Sequence, residues 1–197
     1  MSADLLSLLA GRRGHFRMES GYHSEWWFNL DRLFADPARL QPCVAELARQ
    51  LAAHRIEAVC GPMTGGAKLA GLVATQLGIE SFHTERFESP DATGLFPVRY
   101  LVPAPQRPQL RGKRVAIVDD AISAGSAVKG THADLLACDA QPVACGALII
   151  FGHAADKFAA DHDLKLDGIA RTSFNLWKPE ECPLCKAGRP VEKVSDT

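Results

Sequence analysis

Arg114-Val115-Ala116-Ile117-Val118-Asp119-Asp120-Ala121-Ile122-Ser123-Ala124-Gly125-Ser126-Ala127 is the stretch whose reading decides the fold of this chain. Val115 to Val118 is apolar on both of its faces, as expected of a strand buried from both sides. Two adjacent carboxylates, Asp119 and Asp120, stand at its carboxyl end. The turn that follows is small and hydroxyl-rich, and it opens a helix over about Gly125 to Ala137. In an open α/β sheet, ligands bind outside the carboxyl ends of the strands. The exposed N–H groups and positive dipole end of a helix N-terminus make an anion cradle. Carboxylates for vicinal hydroxyls, beside a cradle for a phosphate, describe a ribose-5-phosphate site. A plain strand-turn-helix with an acidic cap accounts for the same pattern equally well.

Outward from this stretch a rhythm of strands and helices appears. Glu57 to Cys60 reads as a short strand, Gly66 to Leu77 as a small-residue helix stopped by Gly78, and Ile79 to His83 as the next strand. Beyond the quoted stretch, Pro142 to Phe151 is a long apolar strand and Gly168 to Arg171 a further one. Toward the N-terminus, Asp4 to Leu9 suits a short helix and Glu25 to Leu30 a strand or extended flap. Leu40, Val44, Leu47 and Leu51 recur at helical spacing over Pro37 to His54, after an Asp36-Pro37 start signal. Apolar strands alternating with helices predict an open, doubly wound parallel α/β sheet covered on both faces. Glu85 to Lys113 interrupts this rhythm with Pro90, Pro97, Pro103, Pro105 and Pro108, although Phe96 to Val102 has the composition of a strand. So long a connection is usually functional or mobile.

The bulk properties bound the rest. A chain of 197 residues, 47% hydrophobic, suits one domain (1–197) with a small flap or tail. A formal net charge of −1 argues against a general nucleic-acid or anionic-membrane binder. No apolar run is long enough to cross a bilayer. Acidic Asp4 precedes the first apolar stretch with no basic region, so a secretory signal is not expected. Cys43, Cys60, Cys138, Cys145, Cys182 and Cys185 lack the spacing of a disulfide framework, which fits a reducing cytoplasm.

The quoted stretch resembles the phosphoribosyl pyrophosphate (PRPP) signature of type I phosphoribosyltransferases, two acidic residues ahead of a Thr/Ser-Ala/Thr-Gly-Thr/Ser loop. The resemblance implies that Asp119 and Asp120 meet the ribose hydroxyls. It also implies that Ala121, Ile122, Ser123, Ala124, Gly125 and Ser126 wrap the 5′-phosphate. Gly61-Pro62-Met63-Thr64-Gly65-Gly66-Ala67-Lys68 is similar to the family's pyrophosphate turn, giving that role to Thr64, Gly65, Gly66 and Lys68. Thr84-Glu85-Arg86 looks like its cationic patch, with Arg86 as the cation. Within the family the likeness is to short orotate phosphoribosyltransferases. Gly14 to Asp31 resembles their N-terminal hood (1–36), so Phe16, Ser20, Gly21, Trp27, Phe28 and Ser123 would surround the base. The tail, 177–197, resembles theirs as well. Mg²⁺ arriving with PRPP, no protein side chain as metal ligand, and a homodimer are further implications.

Two places depart from the family pattern. The mobile loop expected over 85–113 holds no lysine or histidine between Glu85 and Gly112, which leaves Arg99, Arg107 and Arg111 beyond Arg86 to clamp charge. Arg99 is the one placed in the catalytic set with Arg86, Asp119 and Asp120. After the fourth strand, an Asp-Arg pair is replaced by Phe151-Gly152-His153-Ala154-Ala155-Asp156-Lys157, where Lys157 or His153 would have to meet the acceptor. Orotate is therefore the expected acceptor, with a purine or unusual base as one alternative and a PRPP-sensing regulator without turnover as another. Cys182-Pro183-Leu184-Cys185 reads first as a structural turn. It also suits half a zinc site completed by another segment or subunit, and least of all a redox pair. His15, His23 and His132 read as surface or satisfied polar groups.

Overall fold

A computed structural model describes residues 2–88 and 94–193. The chain runs α1 (Ser2–Ser7), β1 (Ala10–Arg17), β2 (His23–Asn29), a 3-10 turn (Leu30–Phe34), α2 (Pro37–Ala52), β3 (Ala58–Pro62), α3 (Gly65–Leu77), β4 (Glu80–Glu88) and β5 (Val98–Leu101). It continues through α4 (Arg107–Leu110), β6 (Arg114–Ile122), α5 (Ser126–Ala137), β7 (Gln141–Phe151), α6 (Ala154–Asp161), β8 (Lys165–Thr172), α7 (Pro183–Lys186) and β9 (Glu192–Lys193).

Six strands form one sheet in the order β5-β4-β3-β6-β7-β8. All neighbours are parallel except β5, which pairs antiparallel with β4 at the edge. Helices cover both faces, as uniformly apolar strands require. On one side Leu47 and Leu51 of α2 and Leu69 and Val73 of α3 pack on Val59, Val118 and Leu148. On the other, Val128 and Leu135 of α5 and Ala155 and Ala159 of α6 pack on Ile117, Cys145 and Ile150. Asp36 caps α2 by accepting from the amides of Ala38 and Arg39, and Gly78 closes α3 in the left-handed conformation at φ 66°.

The 85–113 segment is not a structureless connector. Its first residues extend β4 to Glu88, and β5 returns antiparallel with Arg86 opposite Tyr100 and Phe87 opposite Arg99. Arg107 then opens α4. Residues 89–93, Pro90 among them, lie outside the described residues. Two of the arginines expected to clamp charge are committed elsewhere: Arg107 to buried Asp134 at 2.7 Å and Arg111 to Asp139 at 3.0 Å.

The hood is a second, three-stranded sheet in the order β2-β1-β9. β1 was not legible as a strand, and its pairing with β2 slips in register between Arg13 and Phe16. The tail folds back onto it. Trp177 exchanges both backbone hydrogen bonds with His23, and β9 pairs parallel with Phe16 and Arg17. His15 and His23 are buried, not surface groups.

Candidate active site

β3 and β6 are adjacent and parallel, so the turns after them open on the same sheet edge. Neither α3 nor α5 has a side-chain cap at its N-terminus, which leaves the first-turn amides of both to a ligand. Gly125, at φ 77°, makes the sharp entry into α5 that a residue with a Cβ would strain. Between the two helix starts lies a cavity of about 230 Å³, lined in part by Thr64, Gly65, Asp119, Asp120, Ser123 and Ser126. The hood closes it with Met18, Glu19, Ser20, Trp27 and Phe28. A second hollow of about 140 Å³ shares Met18, Glu19, Trp27, Phe28, Ala121 and Ser123 with the first, and adds Arg86, Phe151 and Phe174. Phe28 stacks on Phe151 at 5.4 Å, and Phe174 completes the cluster. The composite site thus has a polar end under two helix N-termini and an aromatic end under the hood.

The acidic pair is held close to the backbone. Asp119 Oδ1 accepts from the Asp120 amide at 3.0 Å, and Asp120 Oδ1 accepts from the Ala121 amide at 2.8 Å. Asp119 is 8% exposed. Its burial, and then the charge of Asp120 beside it, push its carboxyl well above the usual carboxylate range. Among the described residues, the larger cavity is lined by Glu19, Asp31, Asp119 and Asp120 and by no lysine or arginine. Two of these carboxylates already pair with cations, Glu19 with Arg86 at 2.9 Å and Asp31 with Lys68 at 3.0 Å; hard carboxylate oxygens of this kind suit a divalent ion such as Mg²⁺ and the hydroxyls of a sugar.

Glu19 is the residue that sequence reasoning passed over. Its carboxylate accepts from the Tyr100 hydroxyl at 2.7 Å, from Ser126 Oγ at 3.0 Å and from Arg86 Nε at 2.9 Å. It therefore draws together a serine of the phosphate loop and the arginine of the cationic patch. Burial and the charge of Glu19 raise the Tyr100 hydroxyl, so it remains a donor. Burial works against the Arg86 guanidinium, but Glu19 and Glu88 outweigh it and raise its pKa.

Of the residues expected at the site, Ser20, Trp27, Phe28, Thr64, Gly65, Arg86, Asp119, Asp120, Ala121, Ser123 and Ser126 line one of the two hollows. Ile122, Ala124 and Gly125 do not, because the side chain of Ile122 faces the core and this loop offers backbone. Gly66 lines neither hollow, and a Cβ on it would crowd Pro62, the Val118 carbonyl and Asp119 Oδ1. Lys68 lines neither hollow, but its Nζ pairs at 3.0 Å with Asp31, which lines the larger one. Phe16 is fully buried under Arg12 within the hood, and Gly21 makes the left-handed turn between β1 and β2 at φ 83°. Arg99 stands on the face of β5 opposite to Tyr100, so strand alternation takes it away from the cavity. Lys157 pairs with Asp161, and His153 is almost fully exposed.

A family model described as "Phosphoribosyl transferase domain" matches residues 30–183, most of the chain. The chain belongs to the phosphoribosyltransferase family. It is 31% identical to an orotate phosphoribosyltransferase of Thermotoga maritima over 183 residues, covering 91% of this chain and 89% of that protein. It is 28% identical to one of Caldanaerobacter subterraneus subsp. tengcongensis, covering 92% and 88%. The fold is similar to that of the crystal structure of orotate phosphoribosyltransferase from Aeropyrum pernix, with a TM-score of 0.65 at 22% identity over 87% of this chain and 93% of that one. An adenine phosphoribosyltransferase from Rhodothermus marinus gives 0.67 at 14% identity over 86% and 97%. Family and fold together make this chain an enzyme of the pentosyltransferase class. Among the described residues, no helix is long and apolar enough to cross a membrane.

Proposed function

We propose that the chain transfers ribose 5-phosphate from PRPP to a pyrimidine base, orotate, giving orotidine 5′-monophosphate and pyrophosphate. The observation that carries this is the composite site: an acidic strand end and two uncapped helix starts open on one cavity that continues into an aromatic hollow. The base nitrogen forms a bond to C1 of the ribose as the bond from C1 to the pyrophosphate oxygen breaks; the electron pair leaves with pyrophosphate, and the proton of that nitrogen passes to solvent. Asp119 and Asp120 hold the ribose hydroxyls, and the amides of Ser123 to Ser126 hold the 5′-phosphate. The Thr64-Gly65 turn receives the departing pyrophosphate, and Arg86 steadies its charge. Trp27, Phe28, Phe151 and Phe174 wall the base and exclude water. Mg²⁺ brought by the substrate would sit beside the Asp119–Asp120 strand end and would supply charge neutralisation there. Pyrophosphate release measured over a panel of bases with PRPP and Mg²⁺ tests the reading. Turnover with orotate above all other bases supports it, and no turnover with any base would overturn it.

One observation favours a different acceptor. Among the described residues, the one cation lining the aromatic hollow is Arg86, which Glu19 and Glu88 already hold. A base without a carboxylate would need no further cation there, and a purine preference in the same panel would establish that reading.

Glu19 itself is read as an internal stand-in for a substrate anion. Its replacement by alanine frees Ser126 and Arg86 for phosphate oxygens. Hydrogen bonds to charged groups are worth about 1.5–3 kcal/mol, and solvent screening of this partly exposed pair discounts that to about 0.7–1.4 kcal/mol, so PRPP should bind roughly three- to tenfold more tightly. Weaker binding in Glu19→Ala by calorimetry would instead make this carboxylate part of the substrate site.

The same reading gives one working unit (1–197), with the hood as its cover, a cytoplasmic enzyme and a two-fold dimer, the commonest closed assembly. Light scattering should return twice the chain mass at micromolar concentration; a fully active monomer would rule the dimer out.

A further inference from the structure

Away from the cavity, four side chains that share no function in the reaction converge where the tail meets the hood. His15 comes from β1, His23 from the start of β2, and Cys182 and Cys185 from either end of the first turn of α7. One ligating atom from each lies within 4.8 Å of all the others. His15 Nε2 is 3.1 Å from His23 Nδ1, 3.4 Å from Cys182 Sγ and 3.7 Å from Cys185 Sγ; Cys185 Sγ is 3.2 Å from His23 Nδ1. A tetrahedron with Zn–S of about 2.3 Å and Zn–N of about 2.0–2.1 Å has N···N edges of about 3.3 Å and N···S edges of about 3.6 Å. Four of the six edges therefore lie within about 0.4 Å of the lengths a zinc ion demands, and the other two are no longer than 4.8 Å.

Three further features belong to a metal site. His15 Nδ1 donates to the Arg189 carbonyl at 2.9 Å, which fixes the tautomer that leaves a lone pair on Nε2, aimed at the other three groups. The register slip in β1 falls between Arg13 and Phe16, and such irregularities re-aim a side chain, here that of His15. His15, His23 and Cys182 are buried, so these ligand groups are closed off from competing water.

We infer that His15, His23, Cys182 and Cys185 form a closed, structural zinc site that fastens the tail to the hood. All four positions are filled by protein, so the ion has no open place for a substrate, and none of the four residues lines the catalytic cavity. The ion joins β1 and β2 to a tail roughly 160 residues further along the chain, and its binding energy becomes folding energy for that junction.

The test is metal content. Protein purified under reducing conditions without chelator and supplied with one equivalent of Zn²⁺ should retain about one zinc per chain after desalting. The Cys182→Ser/Cys185→Ser variant should retain at least tenfold less, while Cys138→Ser, a buried cysteine outside the cluster, should match the wild type. Stripped wild-type protein given Co²⁺ should develop the intense visible bands and thiolate charge-transfer absorption of a tetrahedral sulfur-ligated ion. The Co²⁺ measurement decides the matter alone should the double variant fail to fold. Zinc-free wild type after reconstitution, equal zinc in the double variant, a featureless Co²⁺ spectrum or a persistent Cys182–Cys185 disulfide would each overturn the site.

Discussion

Asp119→Asn is expected to cut kcat/KM for transfer from PRPP by roughly a hundredfold or more, while leaving a protein more stable than the wild type at neutral to alkaline pH. The two effects share one cause. Burial, reinforced by Asp120, raises the Asp119 carboxyl in the folded chain. At pH values below the ordinary carboxylate range, both the folded and unfolded forms are protonated and the group makes no difference. As pH rises above about 3.9, the unfolded chain loses the proton while the folded one still holds it. Stability therefore falls with rising pH until the folded carboxyl also ionises, beyond which the penalty is complete. Asparagine keeps the shape, and its Oδ1 can still accept from the Asp120 amide, but it carries no such penalty. Each kcal/mol recovered is worth about 2–4 °C in Tm for a chain of this size. Asp120→Asn should lose activity comparably, and it should also move the acid limb of the residual pH–kcat/KM profile to lower pH, because the like charge beside Asp119 is gone. Calorimetry and thermal melts across pH decide this. Normal PRPP affinity in either variant, or a lower Tm for Asp119→Asn at alkaline pH, contradicts the assignment.

What was legible beforehand follows from what is local. The β6 strand, its acidic end and the helix after it could be read because apolarity, carboxylates and small residues occur there in immediate succession. Even so, β6 runs on to Ile122, past the point where its apolar run stops. Ala121 and Ile122 continue the ladder against Ile149 and Ile150 of β7, a pairing decided by the neighbouring strand. β1 was illegible for a related reason: Gly11, Arg12, Arg13 and Gly14 show no alternation, and partners on two sides make it a strand. Arg99 and Tyr100 differ by one place in sequence and by opposite faces in space, and only the register with β4 says which one reaches the site. Glu19 looked like an ordinary hood residue because its partners, Arg86, Tyr100 and Ser126, come from three distant elements. The Cys182/Cys185 pair reads first as a structural turn because the tail holds no further cysteine or histidine; His15 and His23, which stand beside it, come from the far end of the chain.

Gly65→Ala should abolish most activity without unfolding the protein, and it tests the geometry of the acidic pair from the opposite side. Gly65 is the first residue of α3, and a Cβ built on it would overlap the Asp120 carboxylate. That carboxylate is the end of a short side chain, so it can swing aside without a backbone shift, giving up the hydrogen bond it accepts from the Ala121 amide. Rotation would carry it from the place where the ribose hydroxyls are held. A displacement of about 1 Å in a positioning group is enough for a loss of about 10²-fold in rate, and kcat/KM should fall by that order. Gly71 supplies the control within the same helix, since a Cβ there meets nothing within 4 Å. Gly71→Ala should retain full activity and gain about 0.4–1 kcal/mol of stability from the reduced freedom of the unfolded chain. The double variant Gly65→Ala/Asp120→Asn should be no worse than the more impaired single variant, because both act through one carboxylate. Additive losses would mean that Gly65 serves the pyrophosphate turn independently of Asp120. Wild-type kcat/KM in Gly65→Ala would mean that the position of this carboxylate does not govern the reaction.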